Sequence, residues 1–363
     1  MPPTEVLLAG VIVVALVLYL LLAGADFGGG IWDLLASGTR RDAQRKAIEH
    51  AIGPIWEANH VWLILVVVVL FSGFPPAFAA ISTALHVPLT LFLFGVVMRG
   101  SAFSFRSFDV GHVAHAAAIE PVRRARQARW GLVFSAASVL SPLLLGMSVG
   151  AIASGRIRVS LLGAEGARTT SGFFAPWLAP FPLAVGLFAF SLCAFLAATY
   201  LAAEVTDRGL QHDFRTRALG AGVAVGVCAA LALLLSGTGA PRVRAGLTTR
   251  PWTWPLHLLT AGLALGAFGA LWKRRFGWAR VLVAGQTTFI LLGWAVAQYP
   301  YLVVPDVTLW NAAGPAETRA DLLIILAAGL PVLLPSLFLL YRVFKAPVAV
   351  TRPRRQTSGG DQP

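Results

Sequence analysis

The sequence predicts an all-α polytopic membrane protein of nine transmembrane helices, arranged as two four-helix units plus one peripheral helix. Three observations carry that expectation. Of 363 residues, 57% are hydrophobic and only 12% are charged, whereas soluble domains carry roughly 25% charged residues. The apolar residues fall in long runs of about 20, the length that crosses a bilayer at about 1.5 Å per residue. Lysine and arginine fall between the runs, and their abundance alternates from one gap to the next.

The runs cover residues 5–36, 52–71, 76–98, 129–151, 173–202, 217–236, 253–272, 279–298 and 321–344. Continuous runs favour helices over a β-barrel, whose strands alternate in segments of about ten residues. The first run precedes the first basic residue, Arg40. It therefore lacks the charged start of a signal peptide and is expected to be retained as a helix. Nine spans put the termini on opposite sides. The gaps 37–51, 99–129, 203–217, 273–280 and 342–363 hold 22 of the 29 bases, and the gaps 152–172, 237–252 and 299–320 hold 7. Positive gaps stay cytoplasmic, which places the N-terminus outside and the C-terminus inside. Trp130, Trp252, Trp254, Trp278 and Trp310 lie at or just past the run ends, where amphipathic rings favour the headgroup region.

Residues 1–345 thus read as one transmembrane domain, with 1–151 as the first four-helix unit, 173–298 as the second and 321–344 as the ninth helix. The two units are suggested by an echo between Tyr19-Leu20-Leu21-Leu22-Ala23-Gly24-Ala25-Asp26 and Tyr200-Leu201-Ala202-Ala203-Glu204-Val205-Thr206-Asp207. Both segments run inward and lead into a basic loop. The tail 346–363, rich in Pro, Arg, Ser and Gly, reads as disordered and cytoplasmic. The net charge of +13 does not indicate nucleic acid, because short basic loops between apolar runs are topology signals and contacts to membrane lipid.

Two acids fall in runs expected to be lipid-buried, Asp26 and Glu57. An ionised side chain at the bilayer centre costs about 2.5–3.5 kcal/mol on insertion scales, so such acids normally face a protein interior or a wet cavity. Asp26 lies some 20 residues along an inward-running span, about 30 Å from the outer edge, and Glu57 about 8 Å into the next span from the inner side. Both carboxyls then sit at similar shallow depth near the cytoplasm, placed to take up a proton and pass it on. Asn59 and His60 could continue the relay. Glu57 and His60 share a helix face at i, i+3, and Trp56 and His60 an overlapping one at i, i+4. The plainer alternative pairs Asp26 with Arg40 or Arg41 at the helix end, a pairing better suited to Asp33. Gly28, Gly29 and Gly30 suggest close helix packing. His86 and His257 read as packed mid-span histidines, with haem ligation by His86 the sharper alternative. Cys193 and Cys228 read as buried packing residues, and no metal-ligand spacing is present. Arg99 and Arg106, where the third span exits, would anchor to lipid phosphate, contact a partner chain or face Asp26.

The stretches Gly24-Ala25-Asp26-Phe27-Gly28-Gly29-Gly30, Ile52-Gly53-Pro54-Ile55-Trp56-Glu57-Ala58-Asn59-His60-Val61-Trp62-Leu63-Ile64, Met98-Arg99-Gly100 and Phe105-Arg106-Ser107 resemble subunit II of the cytochrome bd-type quinol oxidases, including the cyanide-insensitive branch. Tyr299-Pro300-Tyr301 and Leu309-Trp310-Asn311-Ala312 fit as well. The resemblance implies a subunit of a terminal oxidase of the bacterial cytoplasmic (inner) membrane, one that oxidises quinol and reduces dioxygen to water. It implies a heterodimer with subunit I, which holds the b-type and d-type haems, and leaves room for a small single-helix accessory subunit. It also allows a structural quinone in this chain, which no residue signature locates. The chain itself would ligate no haem or metal; it would support assembly and supply protons from the cytoplasm through Asp26 and Glu57. Relatives often carry Asp where Glu57 stands and can carry Gln where His60 stands. A proton-coupled secondary transporter is the alternative, since parallel repeats and intramembrane acids suit it; shallow acids and a nearly all-aliphatic midplane do not. A structural scaffold, with both acids paired to bases, is the third reading.

Overall fold

Each apolar run folds as helix, and the interruptions fall where backbone chemistry requires them. The structure, a computed structural model, describes residues 3–52, 56–108, 120–161 and 167–344, with side chains at all of these except 56, 106–108, 120–128, 161, 167, 341 and 344. In chain order the helices are α1 (Thr4–Leu34), α2 (Arg41–Ile52), α3 (Trp56–Asn59), α4 (Val61–Gly73), α5 (Pro75–Ala84), α6 (His86–Phe108) and α7 (Glu120–Ala153), then α8 (Pro180–Glu204), α9 (Arg208–Gly239), α10 (Pro241–Thr248), α11 (Thr253–Trp272), α12 (Phe276–Gln298) and α13 (Ala316–Phe344). Two short antiparallel hairpins lie between them. One pairs β1 (Val159–Leu161) with β2 (Ala167–Thr169), and the other pairs β3 (Tyr301–Val303) with β4 (Val307–Thr308).

Among the described residues, eight helices are long and apolar enough to cross a membrane. The bent pair Arg41–Ile52 and Glu57–Gly73 makes a ninth if it counts as one span. The expected span 52–71 is therefore not one straight helix; it breaks at His60, between α3 and α4. The expected span 76–98 also differs. It divides at Leu85 into α5 and α6, and α6 runs on to Phe108. Pro88 explains the division, because it has no N–H to give the carbonyl of Ala84. The fifth span starts at Pro180 rather than 173, with proline in its first turn, where the missing donor costs nothing. The sixth extends back to Arg208 because Asp207 caps it, its Oδ1 accepting from the Leu210 amide at 2.8 Å. Trp254, Trp278 and Trp310 are exposed at their helix or loop ends. The tail 346–363 lies outside the described residues.

Helix α1 is the axis of the molecule, in contact with α8, α7, α4, α12, α2 and α13. Its three glycines account for much of this. A Cβ at Gly28 would strike the carbonyl oxygen of Cys193 on α8, one at Gly29 would strike Ile52 on α2, and one at Gly30 would strike Ser138 on α7. Successive helical residues point about 100° apart, so one turn of α1 accepts three neighbours at backbone distance. Cys193 is buried in this crossing. Trp32 follows one turn later, its Nε1 donating to the carbonyl of Ala194 at 2.8 Å. Around the N-terminal part of α1 packs one apolar core with α4, α5, α6 and α7, and around its C-terminal part packs a second with α2, α8, α9, α11 and α12.

Polar contacts tie both ends. On one side Asp213 of α9 accepts two bonds from Arg40, at 2.9 and 2.6 Å, and one from Gln44 at 2.8 Å. Arg217 donates to Gln44 and to the Leu35 carbonyl. At the opposite end Arg319 of α13 pairs with Glu5 of α1, and Arg158 bonds Asp306 beside the β3–β4 hairpin at 2.9 Å.

Replacing Gly28 by alanine should destabilise the chain by about 1–3 kcal/mol or more, the usual cost of overpacking, because the obstacle is backbone and cannot rotate away. A lowered melting temperature of the purified protein, beside an unchanged Gly10→Ala control whose site is open, is the expected outcome.

Candidate functional site

Asp26 lies on the buried face of α1, 8% exposed, about 33 Å along the helix from Thr4. Its Oδ2 accepts a hydrogen bond from Nδ2 of Asn59, itself 2% exposed at the end of α3. The short α3 turn thus carries the chain back against α1 and delivers one amide to one carboxyl. Arg99 completes the group. The sequence places it at the exit of a helix, where lipid phosphate, a partner chain or the Asp26 side would meet it. Because α6 continues ten residues further, Arg99 is instead interior and 2% exposed, so it faces Asp26 and not lipid. Its Nη2 donates to the Asp26 carbonyl at 2.9 Å and its Nε to Ser138 Oγ at 3.1 Å. Its guanidinium lies between the rings of Phe27 and Phe134, 5.2 and 5.1 Å from their centroids. A buried cation and a buried carboxyl act on one another here, which offsets part of the desolvation each would suffer alone.

His60 is half-buried and turns along α1 toward its N-terminal end. Its Nδ1 is 3.3 Å from the Tyr19 hydroxyl, and its ring lies against Tyr19 and Phe27. Glu57 corrects an expectation. It was expected to be buried beside Asp26; in this chain taken alone it is exposed, since α3 presents Asn59 inward and its opposite side outward. It remains at the same depth as Asp26, two residues from Asn59. The side chains of Trp56 and Arg106 lie outside the described residues. Asp33 pairs with neither Arg40 nor Arg41. It is buried, 3.8 Å from Arg45 and accepting from Ser135 at 3.3 Å, while Arg40 is occupied by Asp213.

Beside Asp26 is a cavity of about 110 Å³ between α1, α2, α3, α8 and α12, large enough for several waters. Its polar lining comes from Asp26, Asn59, Tyr200, Glu204 and Arg280, and the rest of its wall is apolar. Arg280 stacks on Tyr200, 4.8 Å from the ring centroid. Sequence analysis did not select Tyr19, Tyr200 or Arg280. Glu204 stood in the quoted echo without a role.

His86 stands at the start of α6 rather than mid-span. It is exposed, bonded to the Thr83 carbonyl and set against Phe173. His257 bonds the Leu247 carbonyl, and no group of three or more His, Cys, Asp or Glu converges among the described residues.

A family model described as cytochrome bd terminal oxidase subunit II matches residues 4–344. The chain belongs to that family. It is 26% identical over 336 residues to cytochrome bd-I ubiquinol oxidase subunit 2 of Escherichia coli K12, covering 85% of this chain and 82% of that one. It is 29% identical over 129 residues to cytochrome bd ubiquinol oxidase subunit 2 of Bacillus subtilis, covering 36% and 34%. Its fold resembles that of a chain in the bd oxidase structure from Geobacillus thermodenitrificans, with a TM-score of 0.75 and 20% identity, covering 94% of this chain and 98% of that chain.

Replacing Arg99 by glutamine should cost about 3–5 kcal/mol, the usual penalty for breaking a buried charge pair. Lysine should rescue it only in part, because an ammonium cannot reproduce the planar fork between two rings. Melting temperatures of the purified variants measure both effects, with lysine expected to fall between glutamine and wild type.

Proposed function

We propose that this chain is the non-haem-ligating subunit II of a quinol:dioxygen oxidoreductase in the bacterial cytoplasmic membrane. It spans the bilayer nine times, with its N-terminus outside and its C-terminus inside. It pairs with a subunit I that carries the b-type and d-type haems, and it feeds that subunit with protons from the cytoplasm. The observation that carries the proton role is the buried Asp26 carboxyl, bonded by Asn59, beside Arg99 and lining a water-sized cavity at the inner end of α1.

The chemistry follows from the arrangement. Bare charge does not cross an apolar wall, and dioxygen reduction inside a membrane consumes protons, so a route of titratable groups and water is needed. Asp26 can bind a proton from cavity water and release it onward. Asn59 holds its carboxyl in one orientation, and Arg99 fixes the backbone that carries it. Glu57 sets a second carboxyl at the same depth on the surface of the chain, where it can exchange a proton with water or with groups of subunit I. His60 and Tyr19 extend the polar contacts about two helical turns along α1. The family match favours this reading over a proton-coupled transporter, and relatives named as ubiquinol oxidase subunits support the substrate class.

Asp26→Asn in the complete oxidase should slow quinol-driven oxygen consumption by about a hundredfold, a typical loss when a positioned proton carrier is removed. Haem bands of b and d type should persist in the visible spectrum of complex purified through a tag on this chain. A wild-type rate with normal haem content would sink the proton role; absence of haem from the wild-type complex would sink the oxidase assignment.

A further inference from the structure

The cavity beside Asp26 reaches a charged rim contributed wholly by the second half of the chain. Glu204 is the last residue of α8, and Arg280 lies near the start of α12. Both are exposed, yet both line the same cavity as the buried Asp26 and Asn59. They border the basic segments 203–217 and 273–280, which the charge distribution places in the cytoplasm. Between rim and floor the wall is formed by side chains such as Leu22, Ala25, Ala197 and Leu201. Arg280 lines the cavity beside Tyr200, its guanidinium 4.8 Å from the Tyr200 ring centroid. Glu57 is not among the lining residues.

An exposed acid at a helix end is ordinarily a solvated charge. Here one short cavity, large enough for several waters, joins it to a buried acid, and that juxtaposition gives the rim its meaning. We propose that this cavity is the cytoplasmic proton inlet of the chain and that Glu204 is its collecting group. The inference rests on the reading of Asp26 as a proton carrier. Hydronium gives one proton to the Glu204 carboxylate. The neutral acid passes it to cavity water, that water passes a proton to the Asp26 carboxylate, and Glu204 returns to its ionised form. No other bond changes. The groups that face Glu204 across the cavity are Asp26 and Asn59 from α1 and α3, Tyr200 on its own helix and Arg280 from α12, while α2 contributes only Ala51 and Ile52. Glu204 is thus a positioning residue that acts through Asp26.

The test uses the complete oxidase with subunit I. Glu204→Gln should slow oxygen consumption about tenfold near pH 8 and little near pH 6, where hydronium is about a hundred times more abundant and a collecting group matters less. Glu204→Cys, treated after assembly, separates charge from folding. Iodoacetate alkylates the thiolate with loss of iodide and restores a carboxylate, which should recover most of the rate at pH 8. Iodoacetamide installs a neutral amide on the same sulfur and should recover none. Wild-type enzyme treated in parallel accounts for Cys193 and Cys228. Equal rates for both adducts, or a Glu204→Gln rate matching wild type at every pH while Asp26→Asn is slow, would overturn the inlet and leave the role of Asp26 standing. A normal Asp26→Asn rate would bring down the reading beneath it.

Discussion

Everything around the C-terminal end of α1 depends on three adjacent positions without side chains. Gly28, Gly29 and Gly30 let α8, α2 and α7 close on a single turn of α1. Asp26 precedes that crossing by less than one turn, so its surroundings are set by the α8 backbone at Gly28 and by the Ile52 and Ser138 side chains at Gly29 and Gly30. A lipid-embedded fold gains little from hydrophobic association between helices, and close packing has to replace it. Rigidity of this kind is what a fixed proton-binding group requires.

The crossing also explains why the acid can be buried at all. Arg99 reaches Asp26 by passing between Phe27 and Phe134, and Ser138, which faces Gly30, receives its Nε. The same small residues that admit α7 therefore bring a compensating cation to the carboxyl. Packing and charge balance at this site are two results of one geometry. Asn59 arrives separately, from a turn of helix too short to stand alone and held in place by its neighbours.

Hydropathy made the helical architecture legible, because lipid forces apolar runs to declare themselves. The span 253–272 coincides with α11 to the residue, and the segment around Asp26 was recognisable from its acid and glycines. What escaped has physical causes. Pro88 sits in an apolar run that carries no drop in hydropathy, so the break at Leu85 left no signal in the pattern used. For Arg99 the sequence leaves lipid phosphate, a partner chain and the Asp26 side open, because a charge at the end of an apolar run looks like the end of a helix, whereas α6 continues past it. The exposure of Glu57 depends on which way a four-residue helix faces. The meeting of Glu204 and Arg280 with Asp26 depends on how α1, α8 and α12 pack, and separations that long are not written in local spacing.

The helix α13 stands apart from this rigidity. Among the described residues its main contacts are with α1 and α4, most of its surface is exposed, and Pro331 and Pro335 interrupt its backbone ladder. Arg319 pairs with Glu5 at one end. Where its exposed surface meets acyl chains, a span pinned at one end takes its lean from hydrocarbon thickness. Membranes of different depth can thus be matched by swinging this one outrigger, while the seam of the other helices keeps its register.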